Sequence, residues 1–264
     1  MYKRQRLGLL LTCAVLGSGR ALAHDPDALW KIVHNRCVPD QQASQSPAPC
    51  ASVDLAGGEA HGSAILKDIE GASQYLLIPT ARITGIESPA ILAPDAPNFF
   101  ARAWAAVPLV GARLHRALPR QDLSLAINSE DGRSQNQLHI HIDCIRPDIR
   151  SIVDRAMPGV GTRWHMLPTR LRLHRYRAIW LPGETLSDVD PFRVLAGSLS
   201  DPSQQMGRHT LVLLGAVKNG QPGFVLLDGQ ASRLSTVLSP RIKLGSGSGE
   251  ELQDHSCRIA DQPA

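Results

Sequence analysis

The stretch from Leu123 to Ile145 restricts the fold more than any other part of the chain, because it holds two apolar runs joined by a polar, glycine-containing segment. This pattern predicts two strands connected by a loop. Successive side chains of a strand point to opposite faces, so the leucine and isoleucines of the second run face a core, whereas His139, His141 and Asp143 share the other face. Polar groups on a buried face are costly unless they are paired, so we expect this face to meet a ligand, a metal ion or water.

The spacing of these three side chains favours a functional site over the alternative, an amphipathic strand with a solvated polar face. At a rise of ~3.4 Å per residue, they converge on a patch roughly 14 Å long, which is short enough to surround a phosphate or a metal ion. The polar segment just upstream adds five uncharged hydrogen-bonding side chains, Asn128, Ser134, Gln135, Asn136 and Gln137.

The run LHIHID resembles the signature of the histidine-triad superfamily, in which His, apolar, His, apolar, His lies on a strand and the middle histidine attacks a nucleotide α-phosphate. The resemblance implies that His141 is the nucleophile and His139 its supporting neighbour. Asp143 stands at the third place, where the superfamily has histidine. The residues that match the phosphate-contacting positions are Asn128, Gln135 and Asn136.

A second landmark lies earlier, in ILKDIEGASQYLLIPTARITGI at residues 65–86. It resembles the strand, turn, strand unit of the same superfamily, which ends in I-P-x-x-H-I, with Arg82 in place of that histidine. The resemblance implies that Asp68 binds the ribose hydroxyls. Lys67 is expected either to neutralise the diphosphate or to lie at the surface.

A narrower resemblance covers residues 29–257. The segments LKDIEGASQYLLIPT, SLAINS, GRSQNQLHIHIDCI and GEELQDHSC are similar to the bacterial CDP-diacylglycerol pyrophosphatase family. This implies hydrolysis of a membrane lipid, CDP-diacylglycerol, to CMP and phosphatidate through a nucleotidylyl-histidine, with neither metal nor cofactor. It also implies an α+β fold, a histidine-triad-like antiparallel sheet with helices packed on one side, that works at the inner-membrane surface.

The N-terminus predicts export. Three basic residues precede an apolar run at 7–17, and Ala21-Leu22-Ala23 has small residues where a signal peptidase needs them. We therefore expect residues 1–23 to be a signal peptide, with an uncleaved anchor as the alternative, and a protein in the periplasm or on the periplasmic face of the inner membrane. The formal charge of +4 includes four basic residues of this leader. The rest is nearly neutral, so its charge gives no support for a nucleic-acid partner.

The cysteines agree with an oxidising compartment. Cys13 lies in the leader, and the four others are an even number that allows three pairings. We favour Cys37–Cys50 and Cys144–Cys257. The second bridge carries His255 close to the triad strand and makes it a candidate substrate-binding residue.

We expect residues 24–264 to form one hydrolase domain, in which 150–264 is a C-terminal extension or a degenerate second copy of the fold, because strand, helix and hairpin recur there. Asn219-Gly220 is a hairpin turn signal, and Pro108 should kink or divide a helix in 97–118. A flexible segment is expected at 245–249. Other predicted helices are 27–36, 147–156 and 191–199, and other predicted strands are 175–181, 210–217 and 223–228.

Five arginines lie close together between Arg163 and Arg177, interleaved with aromatic and histidine side chains. They fit two interpretations equally. One is the solvated edge of a strand, and the other is a site for anionic lipid headgroups or a diphosphate.

Two other functions compete with the triad interpretation. His139, His141 and Asp143 also resemble the zinc-binding run of metallo-β-lactamase-like hydrolases, because histidine and aspartate are suitable zinc ligands. However, Cys144 stands where those hydrolases usually have another histidine. The second competitor is an exported protein that binds nucleotides or lipid headgroups without catalysis. His141→Ala separates a binder, which keeps its affinity, from a covalent catalyst, which loses its activity.

Overall fold

The computed structural model describes residues 25–230 and 248–261. The predicted leader, residues 1–23, lies outside the described residues, and so do residues 245–247 of the predicted flexible segment. Within the described ranges, no helix is long and apolar enough to cross a membrane.

A single antiparallel sheet organises the molecule. Its order is β1-β2-β3-β5-β4-β8-β9-β7-β6, and every neighbouring pair is antiparallel. The strands are β1 Cys50–Asp54, β2 Ser63–Lys67, β3 Tyr75–Pro79, β4 Leu123–Ile127, β5 Ile140–Cys144, β6 His165–Met166, β7 Tyr176–Pro182, β8 His209–Lys218 and β9 Gln221–Gln230. The helices are α1 Ala28–Ile32, α2 Val38–Ser44, α3 Phe99–Ala105, α4 Pro108–Leu114, α5 Pro147–Ala156, α6 Pro191–Ala196 and α7 Pro202–Gln205. The predicted α+β class is confirmed.

Helix α3 packs against one face of the sheet, as the apolar alternation of the strands requires. Ile140 pairs with Leu77, and both side chains are fully buried in one core with Phe100 of α3. Phe100 meets Phe192 of α6 edge-on at 5.0 Å between ring centroids, so aromatic contacts join helices from the two halves of the chain.

The predicted arrangement of helices on one side is incomplete, because α1 and α2 lie on the opposite face. A π-helical turn, Val33–Cys37, joins them into one helical segment. Val33 and Val38 pack there with Leu76, in a smaller core beside the first three strands. The helical segment also runs on beyond the predicted 27–36. Pro39 is tolerated in the first turn of α2, where a missing amide costs little.

Most of the predicted elements are confirmed, including the division at Pro108, the helix Pro147–Ala156 and the hairpin turn at Asn219-Gly220. Two strands were missed. Strand β1 follows a proline-rich segment with little periodicity, and β6 has only two residues. Both favoured disulfides, Cys37–Cys50 and Cys144–Cys257, are present and are therefore confirmed.

The two halves of the sheet have the same strand order. Reading outward from the centre, the first half runs β4-β5-β3-β2 and the second runs β8-β9-β7-β6. In the chain, helices lie between β3 and β4 and between the corresponding strands β7 and β8. The halves meet where β4 pairs with β8, and Leu125 lies opposite Leu213. This order is what a degenerate second copy of the fold requires.

Candidate active site

Strand β5 and the residues just before it carry the predicted site. His139 and His141 are 7% and 4% exposed, and Asp143 is fully buried, so the polar face of the strand is covered rather than solvated. The two histidines line a pocket of about 480 Å³. Asp143 is not among the described residues that line it.

His141 is held between a buried amide and a carboxylate. Its Nδ1 lies 2.7 Å from Gln74 Nε2, and its Nε2 lies 3.5 Å from Glu250 Oε2. Burial lowers the pKa of His141 to about 3, against the smaller opposing effect of Glu250. The imidazole is therefore neutral near pH 7, which is the form that has a lone pair for attack on phosphorus.

His139 has a fixed tautomer. Its Nδ1 lies 2.7 Å from the Gln137 carbonyl oxygen, which can only accept, so Nδ1 carries the proton and Nε2 the lone pair. The ring meets that of His141 edge-on, with 4.9 Å between centroids. Burial also lowers the pKa of His139. The pocket therefore contains two neutral imidazoles side by side.

Asp143 binds a histidine rather than facing the pocket. Its Oδ2 accepts a hydrogen bond from His255 Nδ1 at 2.8 Å. This bond is the main cause of the raised pKa of His255. Burial raises the pKa of Asp143, and the His255 bond opposes that rise. The Asp143 carboxylate therefore holds the imidazole of His255, from the C-terminal tail, beside β5.

The tail is attached to β5 by covalent and polar contacts. The Cys144–Cys257 bridge joins it to the end of the strand, and buried Gln253 donates to the carbonyl oxygens of His141 and Ser124, at 3.3 and 3.2 Å. These contacts place His255 beside the triad, as predicted from the favoured disulfide.

Glu250 is a central residue of the site that sequence reasoning missed. Its Oε2 lies 3.3 Å from Asn128 Nδ2, and its Oε1 lies 3.4 Å from His255 Nε2 and 3.3 Å from Gln74 Nε2. Burial alone would raise the pKa of Glu250, but His141, His255 and the two amides outweigh it and lower the pKa. One carboxylate thus occupies the point where all the donors of the site converge.

Gln74 was also missed, although it lies within the quoted landmark at residues 65–86. No local pattern separates Gln74 from other polar residues of a turn. Glu250 differs, because it follows a glycine-rich segment and lies five residues before His255. A search for acidic residues next to the predicted disulfide would have found Glu250. Gln74 depends on the pairing of β3 with β5, which only the sheet provides.

The pocket is lined by four of the six predicted substrate-binding residues. Asn128 and Asp68 line it, and burial raises the pKa of Asp68. Lys67 also lines it, but its ammonium donates to the carbonyl oxygens of Asp68 and Gly71, at 2.6 and 3.1 Å, and so holds the loop after β2.

Gln135 and Asn136 contact the N-terminal segment instead of an open phosphate site. Gln135 lines the pocket, but its amide accepts from Leu29 N at 3.0 Å and donates to Asp25 O at 2.9 Å. Asn136 is exposed, and its backbone amide donates to Pro26 O. Asn136 does not line the pocket in the described structure, and its phosphate contact stays a prediction.

Apolar side chains form one wall of the pocket. They come from α1, β2, β3 and the loop after β2, and they are Leu29, Ile32, Leu66, Leu76 and Ile69. Arg82, at the place of the superfamily's histidine, pairs with Asp27 and lies over the Trp30 ring at 5.3 Å, which holds α1 against this wall. The pocket therefore has a polar floor and an apolar side.

The geometry does not favour the zinc alternative. Asp143 is directed to His255 and Ser73 rather than to a point shared with His139 and His141. Among residues 25–230 and 248–261, no group of three or more histidine, cysteine, aspartate or glutamate side chains is arranged to hold a metal ion.

Comparison with models of known families identifies the family of the chain. Residues 24–261 match the family model described as CDP-diacylglycerol pyrophosphatase. Because the match covers most of the chain, the chain belongs to the CDP-diacylglycerol pyrophosphatase family. The predicted enzyme class, CDP-diacylglycerol diphosphatase, is confirmed at the level of the family.

Proposed function

We propose that this member of the CDP-diacylglycerol pyrophosphatase family hydrolyses CDP-diacylglycerol through a cytidylyl-histidine on His141. One observation carries the proposal. A neutral imidazole, His141, and an imidazolium, His255, both present Nε2 to a single anionic group, the Glu250 carboxylate. We take that point as the place of the phosphoryl group during the reaction.

In the first step, His141 Nε2 attacks the α-phosphorus of the cytidylyl group. A P–N bond forms, the P–O bond to the bridging oxygen breaks, and phosphatidate leaves with the electron pair. The attacking nitrogen must carry no proton, so the Gln74 amide turns its oxygen toward Nδ1–H. The carboxamide can do this because its oxygen has no hydrogen-bond partner among the described residues. His255 transfers its Nε2 proton to the leaving oxygen, and so becomes a neutral imidazole.

In the second step, water attacks the same phosphorus. The P–N bond breaks, the electron pair returns to His141 Nε2, and the proton of water passes to His255 or Glu250, giving CMP. Asn128 donates a hydrogen bond at the place where the non-bridging oxygens develop charge. Removing one such donor costs roughly 10²–10³ in kcat in other hydrolases.

The histidine-triad relationship is part of this proposal. The support is the strand-borne pair His139 and His141, the asparagine thirteen residues upstream of His141, and a sheet whose halves share one strand order. His255, held by Asp143, takes the part of the third histidine. The metal-free character of the reaction, and an origin in bacteria, belong to the same proposal.

Export is proposed on the same footing. Residues 1–23 would direct the chain across the inner membrane as a cleaved signal or a retained anchor. The two disulfides support an oxidising compartment, because such bonds are rare in the cytosol.

The test is turnover of CDP-diacylglycerol, labelled with ³²P at the α-phosphate, in detergent with EDTA, for the wild type, His141→Ala and His139→Ala. We expect CMP and phosphatidate from the wild type, and base-stable label on the protein after an alkaline quench. His141→Ala should lose both, by at least 10³-fold in rate. His139→Ala should keep a measurable rate.

Each alternative predicts a different result. Loss of wild-type turnover in EDTA would favour a metal-dependent hydrolase. Label that persists in His141→Ala but disappears in His139→Ala would identify His139 as the nucleophile. Binding of CMP by all three proteins, with turnover by none, would leave an exported binding protein.

A further inference from the structure

A tight turn at residues 170–175, called the arginine turn below, has a conformation that its sequence does not favour. Leu171 and His174 form a bridge around Arg172 and Leu173, whose φ angles are 46° and 73°. Turns with two positive φ angles prefer Asn-Gly, as at Asn219-Gly220 of the same chain. A leucine held at such an angle is strained, and outliers of this kind cluster at functional places.

The apolar tip of this turn faces solvent. Leu173 is 73% exposed, and Met166, on the neighbouring strand β6, is 50% exposed. Large apolar side chains are left in water at few places of the described structure, and exposed apolar groups with a polar rim mark contact surfaces. The arginine turn therefore presents an apolar side chain to solvent at its tip.

The surroundings of the tip are strongly basic. Arg170, Arg172 and Arg175 are exposed, and no aspartate or glutamate occurs between Arg155 and Gly183. Two carboxylates approach from other segments. Asp228 is already paired with Arg177 and His209, and burial raises the pKa of Glu251 to about 7. The net charge around Leu173 is positive.

The arginine turn adjoins the active-site pocket. His174 Nε2 lies 3.5 Å from Glu251 Oε1, and Glu251 lines the pocket beside Glu250. Ile69, which also lines the pocket, is 96% exposed. A surface that contacted Leu173 would therefore lie close to the entrance of the pocket.

We propose that the arginine turn docks on an anionic phospholipid bilayer, with Leu173 inserted among the acyl chains and the arginines against the phosphates. This inference rests on the proposed function and names the surface from which its substrate comes. An apolar residue among cations gains from both burial and attraction to anionic lipids. Each arginine near such a surface contributes about fivefold in the partition coefficient. Docking there lets a lipid diphosphate reach His141 while its acyl chains stay in the bilayer.

A groove of about 650 Å³ beside the turn provides room for headgroup phosphates. Arg170, Arg175 and Arg177 line it with Ser198 and Ser200. Arginine binds phosphate through two parallel hydrogen bonds, so this groove adds binding strength at the same surface.

The direct test places a fluorescent reporter at the tip. Leu173→Cys is labelled with the environment-sensitive dye NBD in a Cys13→Ser background of the full chain. Val217→Cys is the control, because Val217 is also exposed, at 41%, but lies far from the turn. Val217 pairs with Pro222 at the start of β9, whereas Tyr176, next to the turn, pairs with Gly229 near the end of β9. On phosphatidylcholine vesicles with a quarter phosphatidylglycerol, emission at residue 173 should shift to the blue and rise at least twofold. Residue 217 should not respond. An equal response at both residues, or none at 173, would overturn the proposal.

The kinetic test uses Leu173→Asn, which suits a positive φ and so should fold. We expect kcat/KM to fall about tenfold with CDP-diacylglycerol in anionic vesicles and to stay within twofold with a monomeric short-chain substrate. Arg172→Gln should lose about fivefold on vesicles, whereas Arg113→Gln, which removes an exposed arginine of α4, should lose less than twofold. Equal losses on both substrates would overturn docking. A wild type that is inactive on both, but whose labelled tip still inserts, would overturn the proposed function and leave docking supported.

Discussion

Asp143 and His255 form a partly buried hydrogen bond of 2.8 Å across 112 residues of chain, and this pair gives the Asp143 carboxylate a partner outside the pocket. The carboxylate would repel a phosphate if it faced the pocket. Instead, it raises the pKa of His255, whose Nε2 is directed to Glu250 in the pocket. His255, which comes from the C-terminal tail, thereby reaches the pocket, although β5 itself carries an aspartate at position 143.

Replacing Asp143 by asparagine should lower the pKa of His255, because the first cause of its rise is the bond to that carboxylate. We expect kcat to fall by roughly 10² and the alkaline limb of the kcat profile to move to lower pH. Ser73→Ala, which removes only a 3.4 Å contact to the same carboxylate, is the matched control and should shift neither by much. Unchanged kcat in Asp143→Asn would mean that His255 takes no part in proton transfer.

The pH profile of the wild type should have an alkaline limb and no acid limb near pH 6.5. His141 is neutral above a pKa of about 3, so lowering the pH from 7 to 5 does not remove the nucleophile. The pKa of His255 is raised, so it stays protonated in this range and loses its proton only as the pH rises through that value. Measuring kcat/KM from pH 4.5 to 9.5 checks this. An acid limb centred near pH 6.5 would contradict this prediction, because it would show that His141 titrates as it does in water.

Glu250→Gln should tighten the binding of CMP, because the carboxylate occupies the donors that a phosphate needs and adds a like charge. We expect the Kd for CMP to fall roughly tenfold, or 1.4 kcal/mol, with kcat lowered if Glu250 accepts the proton of water. Calorimetric titration gives the Kd. Glu251→Gln is the control, because this neighbour lines the same pocket but contacts His174. Weaker binding in Glu250→Gln would mean that the carboxylate helps to hold the nucleotide.

The two disulfides should differ in what their loss does. Replacing both cysteines of the 144–257 bridge by serine frees a loop of 113 residues, which costs about 4.7 kcal/mol, and releases His255, so stability and kcat both fall. The 37–50 pair closes 13 residues, and its loss should cost about 3 kcal/mol with kcat nearly unchanged. Denaturant unfolding and turnover measured together distinguish them. An unchanged kcat after loss of the 144–257 bridge would show that the tail needs no covalent anchor.

Local periodicity made much of the fold predictable from sequence. The alternation around Ile140 and Ile142 predicted a strand with one apolar and one polar face, because side chains of a strand alternate whatever the fold around them. Pro108 divides its helix, and Asn219-Gly220 turns its hairpin, since both effects depend on the backbone of one or two residues. The even cysteine count limited the pairings to three, and the favoured one is present.

The composition of the site depended on tertiary structure. Gln74 reaches His141 because β3 pairs with β5, and Glu250 lies between two histidines because a disulfide and a buried glutamine hold the tail on β5. The same folding uses Gln135 to anchor α1 and turns Asp143 toward His255. Which residues alternate along a strand and which turn the chain can be read from the sequence alone, since both follow from short-range geometry. Which side chains share the pocket was decided by strand pairing between distant segments, and no local pattern encodes it.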